Sequence, residues 1–211
     1  MLVVAGCGEP TSGPTRAAAP RGVSAPNGPT LDYSGGYSYG EQSSAFTVTA
    51  QGGSFSINGL FSVNFPANSV CEPTSTYGPS EWDNACATLG PNESIQMQAT
   101  LWITATGVGV DFSPALRFSP STVVTISSSV FAPMLTSNES YYQSNPSALQ
   151  LLAINYSPAI GSSAVADYVS DPSLVTQVDW TTGKLWRRVK HFSGYLIGAG
   201  STCDPTTTIC P

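Results

Sequence analysis

The chain of 211 residues is long enough for one medium-sized β domain with tails, or for two small domains. Charged residues make up only 9% of it and the net charge is −6, which argues against a nucleic-acid partner because phosphate binding depends on clustered Lys and Arg. Val, Thr, aromatic and turn-forming residues are plentiful, whereas Glu, Lys and Arg are scarce. This composition favours an all-β chain, and its low charge favours the outside of a cell.

The first feature along the chain is Cys7, which follows Val4, Ala5 and Gly6. An aliphatic residue, a small residue and Gly in front of a Cys resemble the lipobox of bacterial lipoproteins. The resemblance implies that residues 1–6 are the remnant of a signal peptide and that Cys7 carries a diacylglycerol and acyl lipid anchor. The chain would then be extracytoplasmic, in the periplasm or on the cell surface of a bacterium. A stray Cys in a flexible tail is the alternative.

Residues 7–30 are rich in Pro, Ala, Gly, Ser and Thr, which is typical of a disordered tether between a lipid and a domain. The stretch "LDYSGGYSYG" (31–40) follows, and it is too glycine-rich and polar for a core. We expect its three tyrosines to dock along the domain or on a partner. These candidate binding residues are Tyr33, Tyr37 and Tyr39.

Residues 31–200 are predicted to form a single antiparallel β-sandwich. Apolar and polar residues alternate with period two, and turn signals recur roughly every ten residues, as in sandwich folds. No segment shows a helical period. The predicted strands cover residues 46–50, 54–57, 60–65, 94–107, 108–120 and 122–131, a hairpin of 147–157 with 163–171, and two or three strands within 173–200.

Apart from Cys7, the cysteines fall into two short-range pairs. Four cysteines allow three connectivities, and we favour Cys71–Cys86 and Cys203–Cys210, the second of which would close a tail of residues 201–211. Zinc is the rival explanation, but no C-x-x-C spacing is present, so no metal site is predicted. The loop between Cys71 and Cys86 carries two aromatic candidates for contact with protein or glycan. They are Tyr77 and Trp82.

Three stretches resemble a ZU-five domain, the β-sandwich module of ankyrins, netrin receptors and zonula-occludens proteins. They are "GGSFSINGLFSVNFPANSV", "VDFSPALRFSPSTVVTIS" and "VKHFSGYLIG", and together they span residues 46–198. The likeness implies a ZU-five-like sandwich of immunoglobulin-like architecture, with the third stretch as its closing strand. The long loop at residues 71–93 and the lack of a following partner domain depart from the eukaryotic form.

The third stretch contains His191, Phe192 and Ser193. Certain eukaryotic ZU-five proteins cut themselves between Phe and Ser of a similar motif, which implies Ser193 as nucleophile and His191 as base. The structural interpretation is favoured instead: His191 and Ser193 share one face of a strand as a hydrogen-bonded pair. Gly194 beside them indicates a bulge or close packing. No residues nominate a site for hydrolysis of an external substrate.

Four of the seven basic residues lie within seven positions. They could contact lipid phosphates or an acidic partner, but we favour an edge strand that Lys and Arg protect against aggregation. The cluster consists of Lys184, Arg187, Arg188 and Lys190, of which the last three are also candidate binding residues.

The sequence therefore predicts a non-catalytic, membrane-anchored lipoprotein that acts as a binding or scaffolding module. The first version is an accessory subunit docked on a membrane protein complex. The alternative is a free surface protein for adhesion or glycan binding, and a second alternative is a domain that cleaves itself between Phe192 and Ser193. No cofactor is expected beyond the lipid on Cys7.

Overall fold

The computed structural model describes residues 23–24, 30–31, 40–104, 107–158, 165 and 167–198. The strands in chain order are β1 (Val23–Ser24), β2 (Thr30–Leu31), β3 (Gly40–Thr49), β4 (Gly53–Ile57), β5 (Phe61–Phe65), β6 (Ser94–Thr104), β7 (Gly107–Arg117), β8 (Val124–Ser128), β9 (Ile154–Ser157), β10 (Gln177–Asp179), β11 (Lys184–Val189) and β12 (His191–Gly198). The short helices are α1 (Ala132–Ser137), α2 (Glu139–Ser144) and α3 (Pro146–Gln150), with 3-10 turns at Asp167–Val169 and Pro172–Leu174.

Ten strands form two five-stranded antiparallel sheets, while β1 and β2 form a separate two-stranded sheet. Sheet I has the order β3-β6-β7-β12-β9, and sheet II has the order β10-β11-β8-β5-β4. The all-β class is thus confirmed, with two antiparallel sheets consistent with a sandwich. The predicted strands at 46–50, 54–57, 60–65, 94–107, 108–120 and 122–131 correspond to β3 to β8.

The core lies between the sheets and follows directly from the period-two alternation. In β8 and β5, alternate residues such as Ile126 and Val63 are fully buried, and their neighbours face outward. Phe192 of sheet I packs edge-on against Phe65 of sheet II, with ring centroids 5.4 Å apart, and joins the two layers. The residues between these apolar positions are mostly Ser, Thr, Asn and Gln, so the outer faces are polar and carry few charges.

The region between β8 and β10 differs from the prediction. Residues 132–150 form three helices of five or six residues, and 147–157 is a strand only in its second half, β9. Within the partner predicted at 163–171, the described residues include a 3-10 turn at Asp167–Val169 and a bridge between Val165 and Tyr156. Such short helices cannot display a 3.6-residue period. Pro133 and Pro146 at the helix starts were the signals to read, because Pro is favoured in the first turn of a helix.

The basic cluster does not lie on an edge strand, which corrects our favoured interpretation. Strand β11 pairs with β10 on one side and with β8 on the other. In the order of the sheet, the edge strand is β10 and not β11, although β10 pairs only with residues 184–186 of β11.

Candidate functional site

The stretch that begins at His191 forms a central strand of sheet I. β12 pairs with β7 on one side and with β9 on the other, and its register to β7 shifts between Phe192 and Gly194. The bulge predicted from Gly194 is therefore present. A Cβ added to Gly194 would lie 2.5 Å from the carbonyl oxygen of Ser157, so only glycine lets β9 approach this closely.

A disulfide loop, residues 71–86, packs against the start of β12. The predicted Cys71–Cys86 disulfide is confirmed, with 5.7 Å between the Cα atoms. Two cations of the sandwich hold the loop: the buried Arg117 guanidinium donates to the carbonyl oxygen of Glu81, and Lys190 Nζ lies 2.5 Å from Asp83 Oδ1. The disulfide thus joins the two ends of the loop, and Arg117 and Lys190 hold its middle against the sandwich.

His191 is buried under this loop in an aromatic cage. Its ring stacks on Trp82 at a centroid distance of 3.7 Å, and Tyr156 meets it edge-on at 4.9 Å. Burial lowers the pKa of His191 from 6.5 to about 3, and the nearby Arg187 charge adds to the effect. The imidazole is therefore neutral at physiological pH, so Trp82 packs against an uncharged ring.

Tyr77 connects the loop to the backbone of β12. Its hydroxyl donates to the Phe192 carbonyl oxygen at 2.9 Å and lies 3.1 Å from His191 Nδ1. Because a hydroxyl has one proton, the second contact requires that His191 carry its proton on Nδ1 and donate it to the Tyr77 oxygen. Burial raises the pKa of Tyr77 to about 12, despite the opposing effect of the nearby Ser193 hydroxyl, so the phenol stays a donor.

Ser193 is not hydrogen-bonded to His191, contrary to the pairing favoured from the sequence. Its Oγ is buried and outside hydrogen-bond geometry with every described residue. Asp111 of β7 lies opposite Gly194, and burial raises the pKa of its carboxyl. Phe192 is fully buried and stacks on Phe112 at 3.9 Å.

The basic residues predicted to bind a partner have different positions. Arg187 is 1% exposed and donates to the Ile154 carbonyl oxygen at 2.9 Å and to Asp167 Oδ2 at 2.7 Å, so it acts inside the protein. Lys190 lies between Asp83 and Asp171. Its Nζ is 2.6 Å from Asp171 Oδ2, and this contact lowers the pKa of Asp171 to about 2. Lys184 is exposed to solvent, and Arg188 and Lys190 are partly exposed.

Sequence reasoning missed Trp186, which lies on β11 between Leu185 and Arg187. The two neighbours point into the core, and Trp186 points outward with 38% of its surface exposed. It stands in the outer face of sheet II, the solvent-facing side chains of β4, β5, β8, β10 and β11. Strict alternation along "KLWRRV" is the sequence signal for an outward Trp at this position.

Several predicted residues lie outside the described part of the chain. They are Cys7, Tyr33, Tyr37, Tyr39, Cys203 and Cys210. Within the described ranges, no group of three or more His, Cys, Asp or Glu residues could hold a metal ion. Across the same ranges, no helix has the length and apolar character needed to cross a membrane.

Comparison with known proteins gives no family model, no curated protein and no solved structure that matches this chain.

Proposed function

We propose that this chain is a non-catalytic, extracytoplasmic lipoprotein, anchored by lipid on Cys7, that acts as a binding module through a ZU-five-like sandwich. The observation that carries the proposal is the outer face of sheet II, an open polar surface with one exposed indole at Trp186. The Cys71–Cys86 disulfide supports an oxidising compartment, where such bonds persist.

The polarity of this face favours reversible recognition over permanent docking in a membrane complex. Interfaces of permanent subunits resemble a domain core cut in half and are rich in aliphatic side chains. The outward side chains of β4, β5 and β8 are Ser, Asn and Thr instead. Of the two versions expected from the sequence, free surface recognition is therefore the better supported.

Fractionation and pull-down from native membranes in mild detergent test the proposal. We expect the chain in the membrane fraction, and Cys7→Ser should release it to the soluble fraction. A partner or ligand captured by the wild type should be lost when Trp186 becomes Ala. If Cys7→Ser leaves the distribution unchanged and Trp186→Ala captures the same material, both the anchor and the binding face are wrong.

A second candidate function is self-cleavage at the Phe192–Ser193 bond, favoured by one contact: the Tyr77 hydroxyl polarises the Phe192 carbonyl. In this step Ser193 Oγ attacks the Phe192 carbonyl carbon, the C–N bond breaks, and the hydroxyl proton is transferred to the Ser193 nitrogen. Water then hydrolyses the resulting ester to a Phe192 carboxylate and a free Ser193 hydroxyl. His191, with a pKa of about 3, is a weak base, and the Asp111 carboxylate beside Gly194 is the better candidate.

Intact mass under denaturing conditions tests this second candidate. Denaturation is required because β12 pairs with β7 and β9, which would hold a cleaved strand in place. Self-cleavage predicts a fragment that begins at Ser193, absent from Ser193→Ala and formed more slowly by Tyr77→Phe. A single uncleaved species in the wild type after prolonged incubation would exclude it.

A further inference from the structure

The outer face of sheet II presents its side chains in straight rows. Directly opposed residues of antiparallel strands point to the same side, and the register places one residue of each strand in a single line. This first row crosses all five strands and consists of Gln177, Trp186, Ser127, Ser62 and Ser56. A second row on the same side consists of Arg188, Thr125, Asn64 and Ser54.

The dimensions of the first row suit an extended chain molecule. Neighbouring strands are ~4.8 Å apart, so four steps span roughly 19 Å, and the second row runs parallel at about 7 Å. The strand spacing is comparable with the length of one pyranose unit. An extended ligand that lies across the strands would therefore meet a new side chain at each of its units.

The chemistry of the face distinguishes between ligand classes. Most of its groups are hydroxyls and amides, which both donate and accept hydrogen bonds. Of its few charges, Lys184 lies opposite Asp179 in register and offsets its charge, leaving Arg188 as the excess cation. The pKa of Asp179 is lowered chiefly by the hydrogen bond from the Thr182 hydroxyl, with a smaller effect of Lys184. A polyanion requires a cluster of cations that this face lacks.

A protein partner is disfavoured by the same inventory. Protein interfaces concentrate their binding energy in several aromatic and Arg anchors within an apolar centre. Here the two rows together contain one indole, one guanidinium and no aliphatic side chain. A single flat indole is, however, what one pyranose ring needs, because its axial C–H groups carry partial positive charge and stack on the negative face of the aromatic ring.

We infer that the outer face of sheet II binds a neutral polysaccharide, with Trp186 stacked on one sugar ring and the flanking Ser, Asn and Gln side chains bonded to sugar hydroxyls. The inference rests on the proposed binding function and names its ligand class. Gln177, which lies opposite Trp186 on β10, is expected to bond the sugar unit next to the stacked one.

The test is binding of the full chain to a panel of polysaccharides, by affinity electrophoresis and calorimetry. The neutral set is soluble β-glucan, xylan, mannan and dextran, and the polyanionic set is alginate and heparin. We expect binding to at least one neutral polymer, a loss of at least tenfold for Trp186→Ala, and substantial retention for Trp186→Phe. Gln177→Ala should weaken binding several-fold, whereas Gln98→Ala, an exposed amide on β6 of sheet I, should not.

Thermal melts of all variants check that each is folded, which is expected because the substituted side chains face solvent. Binding only to polyanions, binding to no neutral polymer, or equal binding by Trp186→Ala would overturn the inference. If the sugars fail but a membrane protein is captured in a Trp186-dependent manner, the ligand class is wrong and the proposed binding function stands. If neither is captured, both fail.

Discussion

At the scale of single residues, His191 illustrates how burial determines chemistry. It is the only His in the chain, and an isolated imidazole beside a Ser is an obvious catalytic candidate from sequence. The ring is instead 2% exposed, stacked on Trp82 and bonded to Tyr77. None of these partners is near His191 in sequence, so the sequence predicted the residue's strand but could not predict its environment.

Because it is the only imidazole, its titration can be followed directly by NMR. The folded pKa of about 3 lies below the usual 6.5, so the folded state excludes a proton that the unfolded chain takes up. The stabilisation from burying neutral His191 is therefore complete above pH 6.5 and declines as the pH falls towards 3. At pH 4.5 we expect the free energy of unfolding to be lower by about 2–3 kcal/mol than at pH 7. We expect no change in the His191 resonances between pH 8 and pH 4.5.

Replacing His191 by Gln should flatten the pH dependence of unfolding over the same range. Urea titrations of the wild type and His191→Gln at pH 7.5 and pH 4.5 provide the measurement. A resonance that titrates with a midpoint near 6.5, or an identical loss of stability in both proteins, would contradict the proposed cage.

At the scale of elements, the disulfide loop covers His191 and is held in place by covalent and ionic contacts. The spacing of Cys71 and Cys86 was enough to predict their bond, since short-range pairs in secreted chains commonly close loops. The direction in which the loop folds was not predictable, because it depends on Arg117 and Lys190, which are distant in sequence. The short helices were missed for a local reason, since five or six residues show no period.

Removal of the disulfide should loosen this cover. A loop of this length predicts a loss of about 2–4 kcal/mol in the free energy of unfolding for the Cys71→Ala/Cys86→Ala variant. Trp82 would then leave the imidazole, and the His191 pKa should rise towards 6.5. Chemical denaturation and the NMR titration report the two effects. An unchanged His191 pKa in the double variant would mean that the disulfide does not hold the cage.

Lys190 gives a second prediction for the same element. Its contact lowers the pKa of Asp171 from 3.8 to about 2, so the stabilisation is present above pH 3.8 and is lost as the pH falls through 2. Lys190→Met should cost about 1–2 kcal/mol at pH 6 and much less near pH 2. Lys184→Met removes an exposed lysine of the neighbouring strand and is the matched control, with an expected change within about 0.5 kcal/mol. Equal losses at both pH values would rule out an ionic origin.

At the scale of the whole molecule, the two sheets meet around Phe192, which contacts Phe112, Phe118 and Phe65. The alternation of apolar and polar residues predicted the class and most strands because it is a local property of each strand. The order of the strands within each sheet depends on residues that are distant in sequence. The sequence therefore did not indicate that β11 and β12 each have a neighbouring strand on both sides.

Phe192→Ala should therefore destabilise both sheets together, by about 3–5 kcal/mol, as expected for a fully buried aromatic residue. Val169→Ala, at a side chain 64% exposed, is the control and should change little. Calorimetry should show one transition at a lower Tm. Two separate transitions in the Phe192 variant would indicate sheets that unfold independently.

The position of β12 also bears on the order in which the protein acquires its structure. This last described strand lies between β7 and β9, both of which are synthesised earlier. Until β12 arrives, the hydrogen-bonding edges of β7 and β9 have no partner between them, and sheet I stays open. A chain that emerges from a ribosome or a translocation channel can thus fold cooperatively only after residue 198 is free. The pairing of β12 with β7 and β9 therefore completes sheet I only when nearly all of the described chain is present.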